Sequence, residues 1–471
     1  MKNTIYILLV TALVFSSCNK LVEGINVNPD LPSDASADLI LTGLQVGAMT
    51  FHEGDLARKA GLWSGYYKGT DRQYYGFYNY FILNSDFNGA WADVYTNVMR
   101  NTVVLDEKLK EENREGILVG INKVMAAHTM GMATALWGDM PYSEAGDFVK
   151  NPSPKYDSQL DIYTQIQEKL NEAIEDLASP LGRPIANSDI FFNGDPDAWT
   201  KVAYSLKARF YMHTREYQKA YDNAQNGIDS DVYTWKTYHE AANDAQNLFF
   251  QFYNGNRADD LQVNDTYFYN LMSTGSEIYR GDAKTDETAR FRYLTAPRSS
   301  SQHILNTSDD GAFSQTSPFP IFSYEENLLI LAEASLRIAG FEEGLLYLNT
   351  LRSYLNAGHH IGTGYQSDSY KYEPYEPSDF ATGGIAAIEG LDRTQSLLRE
   401  ILEEKYVSLF AQLETFNDIR RTIAEPFGLP INPNVGDQFP QRFIYPQTEI
   451  DRNLNIPASI PNIYEKTPVN R

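Results

Sequence analysis

Apolar residues recur at helical spacing along most of the chain, which predicts a mainly α protein. The periodic stretches group into helix pairs of roughly 20 residues per helix at about 87–137, 157–228 and 324–355. An amphipathic stretch over 393–422 adds a fourth unit, and a further helix is predicted over about 33–67. Units of this size are typical of tetratricopeptide-like repeats. Because long stretches separate them, we expect a compact helical body rather than an open solenoid.

Capping residues mark several of these helices. Ser158 and Asp161 form a possible capping box at the start of one helix. Asp195 followed by Pro196 fits the N-cap and first position of the next. The glycine and the proline within Trp137-Gly138-Asp139-Met140-Pro141-Tyr142 end the helix before them. These residues place helix ends independently of the apolar pattern.

Two stretches, 231–320 and 356–392, lack helical periodicity and are rich in Tyr, Asn, Gly, Asp and Ser. We expect them to be loop-rich insertions with short elements at best. The Pro- and Asn-rich tail after Pro426 should wrap the body without forming a domain of its own. Residues 36–471 are therefore predicted to form a single α-helical domain.

The N-terminus has the layout of a bacterial lipoprotein signal. A basic start precedes the largely apolar run Ile5–Phe15 and then Ser16-Ser17-Cys18. The run is too short for a membrane span of roughly 20 residues. We predict a signal peptide over 1–17, lipidation of Cys18 and a tether over 18–35. The alternative is an ordinary secretory signal that happens to contain the chain's one cysteine.

Composition narrows the function further. The net charge of −23 argues against binding nucleic acid or an anionic membrane face through basic patches. The sequence has no common hydrolase, metalloprotease or P-loop motif, and His52-Glu53 and His359-His360 lack partners at metal-ligand spacing. We predict no catalytic residue, no cofactor and no metal. The 32 tyrosines suit a protein that presents half-exposed rings.

One segment, 63–80, interleaves aromatic and polar residues in a way that suits sugar binding. The C–H faces of sugars lie on aromatic rings, and sugar hydroxyls bond to carboxylates, amides and guanidinium groups. The opposite wall is expected in the 231–320 insertion, from Trp235, Tyr253, Tyr267, Tyr269, Tyr279 and Arg280. The candidate ligand-binding residues are Trp63, Tyr67, Asp71, Arg72, Tyr74, Tyr75, Tyr78 and Tyr279.

Most motif residues are instead expected to be structural. Trp91, Trp137 and Trp199 lie on helical faces or at a helix end and should be core residues. Glu333 and the pair Arg420-Arg421 should satisfy helix ends or form buried pairs. The sequence thus separates motif residues with a structural role from the loop residues that could contact a ligand.

Several motifs follow one another in a distinctive order. The most specific is the turn Leu136-Trp137-Gly138-Asp139-Met140-Pro141-Tyr142-Ser143-Glu144-Ala145. The others are Gly61–Tyr74, Trp91-Ala92-Asp93-Val94-Tyr95, Trp199–Arg209, Leu331–Arg337, Leu398–Arg421 and Arg442-Phe443-Ile444-Tyr445-Pro446. Taken together, the chain resembles the SusD/RagB family of outer-membrane nutrient-binding lipoproteins of Bacteroidetes.

This resemblance implies a SusD-like helical fold with about four tetratricopeptide-like pairs and a loop-rich binding face. It also implies a surface-exposed protein, anchored in the outer membrane through Cys18, that captures oligosaccharides without covalent chemistry. The implied partner is a TonB-dependent SusC-like transporter. Three alternatives stay open: a binder of peptides or other nutrients, a helical scaffold that binds only protein, and a surface glycoside hydrolase. The hydrolase would need two carboxylates about 5–10 Å apart.

Overall fold

The computed structural model describes residues 35–299 and 302–471, so Cys18, the predicted signal peptide and nearly all of the tether lie outside the described residues. The apolar pattern's prediction of a mainly α fold is confirmed. The longer helices are α1 (Ala37–Glu53), α2 (Asp55–Trp63), α3 (Arg72–Tyr78), α4 (Asn88–Ala92), α5 (Arg100–Glu111), α6 (Ile117–Trp137), α7 (Gln159–Leu177), α8 (Pro196–His213) and α9 (Tyr217–Ala224).

A second group of helices follows in the later half of the chain. They are α10 (Leu248–Phe252), α11 (Tyr267–Met272), α12 (Thr288–Leu294), α13 (Tyr324–Ile338), α14 (Phe341–Asn356), α15 (Arg393–Ser408), α16 (Leu413–Thr422) and α17 (Gln447–Arg452). A π-helical stretch, Asp93–Met99, joins α4 to α5 without a break in the chain's direction. Such stretches are rare and are often found near functional sites.

The structure pairs the first helices differently from the sequence-based prediction. The π-helical stretch and α5 pack against α1, and α6 packs mainly against α7 rather than α5. Small residues explain the choice, because a Cβ at Gly120 would lie only 2.7 Å from the Leu177 side chain of α7. Helices α8 and α9 form the next pair, and the predicted pair at 324–355 is confirmed as α13 with α14.

Two predicted long helices are each divided in two. The helix predicted over 33–67 breaks at Gly54, between α1 and α2. The helix predicted over 393–422 breaks between α15 and α16, where Ala411 has a φ of 71°. Tyr66 braces this turn, since its hydroxyl lies 2.5 Å from the carbonyl oxygen of Tyr406. A tertiary contact of this kind leaves no periodic signal in the sequence.

Both predicted N-caps are present, but the capping box at Ser158 is incomplete. The Ser158 hydroxyl accepts the Asp161 N–H at the start of α7, while the Asp161 carboxylate accepts from the Ser158 hydroxyl rather than from the Ser158 N–H. The Asp195 carboxylate accepts N–H groups at the start of α8, with Pro196 at the first helical position. Each cap satisfies N–H groups that have no partner within the helix. The local signals were therefore sufficient to place these two helix starts.

Short helices and strands lie within the 231–320 and 356–392 stretches and at their borders. The strands are β1 (Lys68–Gly69), β2 (Trp235–Lys236), β3 (Leu261–Gln262), β4 (Thr285–Asp286), β5 (Thr295–Ser299), β6 (Gln302–Leu305), β7 (Pro320–Phe322) and β8 (Lys371–Tyr372). In the described part of the chain they form four two-stranded antiparallel ladders: β1 with β3, β2 with β7, β4 with β8, and the local hairpin of β5 and β6. The β1–β3 ladder joins segment 63–80 to the first insertion, and the β4–β8 ladder joins the two insertions to each other.

All five tryptophans are buried, which confirms the structural role predicted for Trp91, Trp137 and Trp199. The rings of Trp91 and Trp137 meet edge to face with centroids 5.6 Å apart, and Trp199 meets Trp235 in the same way. Such arrangements match the charge distribution of aromatic rings. The tryptophans therefore form two aromatic clusters that hold the helical pairs together.

Buried arginines in the body have hydrogen-bond partners within the protein. Arg421 forms a two-pronged pair with Glu333 at 2.7 Å, joining α16 to α13. Arg420 instead donates to backbone carbonyls, including that of Ala135 at 2.9 Å. Arg209 pairs with Glu326 in the same fully buried manner. The prediction that Glu333 and Arg420-Arg421 are structural is confirmed.

The tail after Pro426 packs onto the helical body, and it contacts the first half of that body. The Phe443 N–H donates to the Leu136 carbonyl, and the Trp137 indole donates to the Ile444 carbonyl at 2.9 Å. Residues near 443 therefore close the tryptophan cluster at the end of α6. Nowhere in residues 35–299 and 302–471 is a helix both long and apolar enough to cross a bilayer.

Candidate ligand-binding face

Polar contacts fix the start of α3, within the predicted binding segment. The Asp71 carboxylate accepts the Arg72 N–H and caps the helix. Arg72 has a φ of 49°, which is uncommon for a long side chain. Its guanidinium pairs with Asp260 at 2.6 Å, next to the β1–β3 ladder. This ion pair and the β1–β3 ladder join segment 63–80 to the 231–320 insertion.

Three candidate ligand contacts are buried in the core, which corrects the expectation for them. Trp63 is packed among aromatic rings, and its indole N–H donates to a backbone carbonyl. Tyr67 is fully enclosed. The Tyr74 hydroxyl donates to Asp55 at 2.7 Å and accepts from Arg58 at 2.8 Å. Burial raises the pKa of Tyr74 well above its usual range. These rings offer no free face to a ligand.

The other candidates in this segment reach the surface. Asp71 and Arg72 are exposed, Tyr75 is 53% exposed and Tyr78 is half-buried. Helical spacing explains the contrast between Tyr74 and Tyr75: Tyr74 and Phe77, three residues apart, are buried on one side of the helix, while Tyr75 projects to a different side. In this short helix, neighbouring tyrosines therefore have opposite roles.

Two further exposed apolar residues follow α3 and were missed at the sequence level. Phe81 is 73% exposed and Leu83 is 67% exposed. The turn that presents them has Tyr80 at a φ of 62°, and the Phe81 N–H closes back onto the Gly76 carbonyl at 2.9 Å. The apolar run after Tyr80 was the available signal. We call Tyr75, Tyr78, Phe81 and Leu83 the α3 patch.

A cleft of about 490 Å³ lies beside Tyr279. Its walls come from α11, the 277–282 turn, the 385–388 loop and α15. Aromatic, aliphatic and charged side chains alternate in the lining, including Tyr267, Ile278, Tyr279, Arg280, Ile385, Arg399, Glu400 and Glu403. We call it the Tyr279 cleft. It is lined by the combination of ring faces and polar groups that sugars require.

Residue Asp265 links the patch to the region of the cleft. Its carboxylate lies 3.7 Å from the Lys68 ammonium. Burial raises the pKa of Tyr78, and the negative charge of Asp265 raises it further. Strand β1, which carries Lys68, packs against α3, and Tyr267, two residues after Asp265, lines the cleft. We call the α3 patch and the Tyr279 cleft together the binding face.

The proposed opposite wall is only partly available. Trp235, Tyr253 and Arg280 are buried, which corrects the expectation for Trp235 and Tyr253. Tyr267 and Tyr279 are half-buried and line the cleft. The Tyr279 hydroxyl accepts the backbone N–H of Glu287 at 3.2 Å, which fixes the orientation of the ring.

Two other clefts lie elsewhere on the described part of the chain. One of about 430 Å³, between α5, α6 and α7, has a single aromatic residue, Tyr142, in its lining. Another of about 390 Å³ is lined by Trp91 and Tyr95, which are 6% and 5% exposed, and by Phe148, which is 39% exposed. Within the described ranges, no cluster of three side chains could hold a metal ion. Of these three clefts, the Tyr279 cleft is the one whose lining includes a ligand contact predicted from the sequence, Tyr279.

Comparison with known proteins supplies the family. A family model described as "Starch-binding associating with outer membrane" matches residues 29–446, most of the chain. The chain belongs to the SusD-like family. The resemblance seen in the motifs is therefore confirmed, and membership in this family of binding proteins points away from an enzyme. None of the curated proteins matches the chain.

Solved SusD-like structures share the fold at low sequence identity. A SusD/RagB family protein from Bacteroides thetaiotaomicron has a TM-score of 0.67 at 21% identity, over 93% of this chain and 99% of that one. A chitin-binding SusD homologue from Flavobacterium johnsoniae has a TM-score of 0.62 at 17% identity, over 88% and 92%. At these identities the likeness establishes the SusD-like fold and leaves the ligand open.

Proposed function

We propose that this SusD-like protein captures oligosaccharides on its binding face at the cell surface. The family's description as starch-binding supports a glycan ligand, as does a chitin-binding protein of similar fold with a TM-score of 0.64 and 20% identity, over 89% of this chain and 94% of that one. Peptides and other nutrients are the alternative cargo.

The observation that carries the proposal is the composition of the binding face. The exposed rings of the α3 patch and the half-buried ring of Tyr279 can cover the C–H faces of sugar rings. Arg72 and Asp71 beside the patch, and Glu403 in the cleft, can bond to hydroxyls. The patch also exposes more apolar surface than an isolated surface residue would.

Affinity electrophoresis on a panel of starch, chitin-derived, fructan and laminarin polysaccharides tests the proposal. We expect at least one glycan to retard the protein. Tyr75→Ala or Tyr279→Ala should lower the affinity derived from that retardation about tenfold, which corresponds to about 1.4 kcal/mol. The matched control is Tyr238→Ala, since Tyr238 is 55% exposed, like Tyr75, but lies outside the face. If no glycan retards the protein, peptides become the favoured cargo.

We further propose that the protein is held to the outer membrane by lipid on Cys18 and delivers its cargo to a TonB-dependent SusC-like transporter. The layout of residues 1–18 and the family description support this placement. Cys18→Ala should leave the domain folded and able to bind ligand, yet release it from membranes in detergent partitioning. Retention of that variant on the membrane would contradict the anchor. Co-purification of a transporter with the wild-type protein tests the partner.

A further inference from the structure

The cleft of about 390 Å³ between the π-helical stretch, the 141–154 loop and α17 differs from the Tyr279 cleft in its walls. Its apolar wall is made of aromatic rings and prolines, namely Trp91, Tyr95, Phe148, Pro141, Pro152 and Pro154. We call it the Phe148 cleft. Proline-rich peptides bind in aromatic-lined grooves of this kind. The π-helical stretch, which has no part in the proposed glycan binding, forms one side of it.

Hydrogen bonds within the protein hold the walls of this cleft in place. The Tyr95 hydroxyl donates to the Pro141 carbonyl at 2.6 Å, which joins the π-helical stretch to the loop. The Glu449 Oε1 atom accepts from the Tyr156 hydroxyl at 3.0 Å and from the Asn453 amide at 2.7 Å, which joins α17 to the chain just after the loop. A cleft that is already formed loses less conformational freedom when a ligand binds.

Two donors in the lining of the cleft have no partner within residues 35–299 and 302–471. Trp91 is 6% exposed, but its indole N–H makes no hydrogen bond, and its nitrogen is not closed off from solvent as that of Trp235 is. Unsatisfied donors in so buried a residue are rare and call for an explanation. The Asn88 side chain accepts the Thr448 N–H at 3.1 Å through its oxygen, while its NH₂ group has no acceptor.

Arg452 adds an unpaired cation to the lining. It is exposed, and its guanidinium makes no hydrogen bond or ion pair with any described residue. Guanidinium groups bind carboxylates through pairs of parallel hydrogen bonds. An acidic ligand would therefore find a free partner in this cleft.

The open groups of the cleft are mainly donors, so its ligand should be rich in acceptors. A proline residue brings a carbonyl oxygen and an apolar ring without an N–H of its own. A sugar brings hydroxyls that donate as well as accept, and it needs an open aromatic face, which Trp91 and Tyr95 at 6% and 5% exposure do not offer. A proline-containing peptide therefore fits these walls better than a sugar.

We propose that the Phe148 cleft is a second binding site, which takes an acidic, proline-containing peptide segment. Carbonyl oxygens of the peptide accept from Trp91 and Asn88, its proline rings pack on Phe148, and its carboxylate pairs with Arg452. The cleft shares no lining residue with the binding face, so the proposal does not depend on glycan binding.

The test measures fluorescence anisotropy of labelled peptides mixed with the full folded protein. The probes are four repeats of Pro-Pro-Asp, of Pro-Pro-Lys and of Gly-Ser-Asp. A polyproline II helix has three residues per turn, so the first two probes present all their charges on one side, while the third carries the charge of the first on a flexible chain. We expect the Pro-Pro-Asp probe to bind about tenfold more tightly than the other two, because it alone combines a fixed shape with carboxylates. Equal binding of the Pro-Pro-Lys probe, or no binding of the Pro-Pro-Asp probe at about 1 mM, would overturn the proposal.

Variants assign the binding to the cleft. Arg452→Gln should weaken binding of the Pro-Pro-Asp probe about fivefold without changing the unfolding midpoint, because Arg452 is exposed and unpaired within the described structure. The matched control is Arg183→Gln, since Arg183 is also exposed, has no ion pair with a described residue and lies outside the cleft. Phe148→Ala should weaken the same probe by a similar factor, because it removes the exposed ring.

The polysaccharide panel separates this site from the binding face. Arg452→Gln and Phe148→Ala should both leave retardation by the panel glycan unchanged. Wild-type affinity of Arg452→Gln for the Pro-Pro-Asp probe would contradict the proposed peptide site. Failure of the panel alone would contradict the glycan-binding function and leave the peptide site standing.

Discussion

The helical body and the binding face treat polar groups in opposite ways. In the body, the buried Arg421 makes short hydrogen bonds to Glu333, and Arg209 makes them to Glu326. On the face, the Glu403 side chain makes no hydrogen bond to a described residue and lies 3.9 Å from its nearest cation, Arg399. Motif residues with charged side chains therefore belong mainly to the architecture. Groups that the fold leaves open mark the surface where a ligand could bind.

The largest expected effect on stability comes from removing a ring that was predicted to contact the ligand but is buried in the core. Trp63→Ala should lower the free energy of unfolding by about 3–5 kcal/mol, because the fully buried ring would leave a large cavity. Urea unfolding followed by circular dichroism measures this. A change of less than 1 kcal/mol would mean that Trp63 is not packed as described.

Breaking the Glu333–Arg421 ion pair between α13 and α16 should give the second-largest effect on the free energy of unfolding. Glu333→Gln should cost about 3 kcal/mol, since the buried Arg421 would lose its two-pronged partner and keep only Asp418 as a carboxylate. Burial raises the pKa of Glu333, but Arg421 and Arg337 outweigh it and hold that pKa well below its usual range.

The same pair predicts an acid dependence. A lowered folded pKa stabilises the protein fully above the unfolded value of about 4.3. That stabilisation is lost as the pH falls through the folded value. Thermal unfolding between pH 7 and pH 3 should therefore show the wild type losing stability more steeply than Glu333→Gln. Parallel curves for the two proteins would contradict the assignment.

On the binding face, a substitution should lower the affinity for the ligand and leave the stability of the protein nearly unchanged. Phe81→Ala should change the free energy of unfolding by less than about 0.5 kcal/mol, because the ring is exposed. It should weaken binding of the panel glycan severalfold, measured by calorimetry. A loss of stability without a loss of affinity would indicate that Phe81 has a structural role in the helical body instead.

The smallest effect concerns the turn between α15 and α16. Ala411→Gly should change the free energy of unfolding by less than about 0.5 kcal/mol, because relief of the left-handed conformation is offset by the added freedom of the unfolded chain and by loss of a buried methyl group. Chemical denaturation of both proteins in parallel measures the shift. A change of more than about 1 kcal/mol in either direction would contradict this balance.

Sequence reasoning succeeded where the signal is local and failed where it is not. The caps at Ser158 and Asp195 and the α13–α14 pair depend on neighbouring residues, and the structure confirms them. The ladder that joins Lys68 to Gln262 links residues nearly two hundred positions apart. Its strands have only two residues each, so the sequence carries no alternating pattern that could predict it.

The candidate site shows the same limit on a finer scale. Segment 63–80 was correctly singled out as aromatic, but the burial of Trp63 and Tyr74 follows from the short helices α2 and α3. Treating the segment as one loop gave no basis for separating Tyr74 from Tyr75. A helix of seven residues set by an aspartate cap carries too little periodicity to be recognised.

The return of the tail to α6 has a consequence for how the protein acquires its fold. The tryptophan cluster around Trp137 is completed by Phe443 and Ile444, some three hundred residues later. This cluster can therefore be completed only after nearly the whole chain has been synthesised. Its completion is a late step of folding, and the first helices reach their final packing only when the C-terminal tail has arrived.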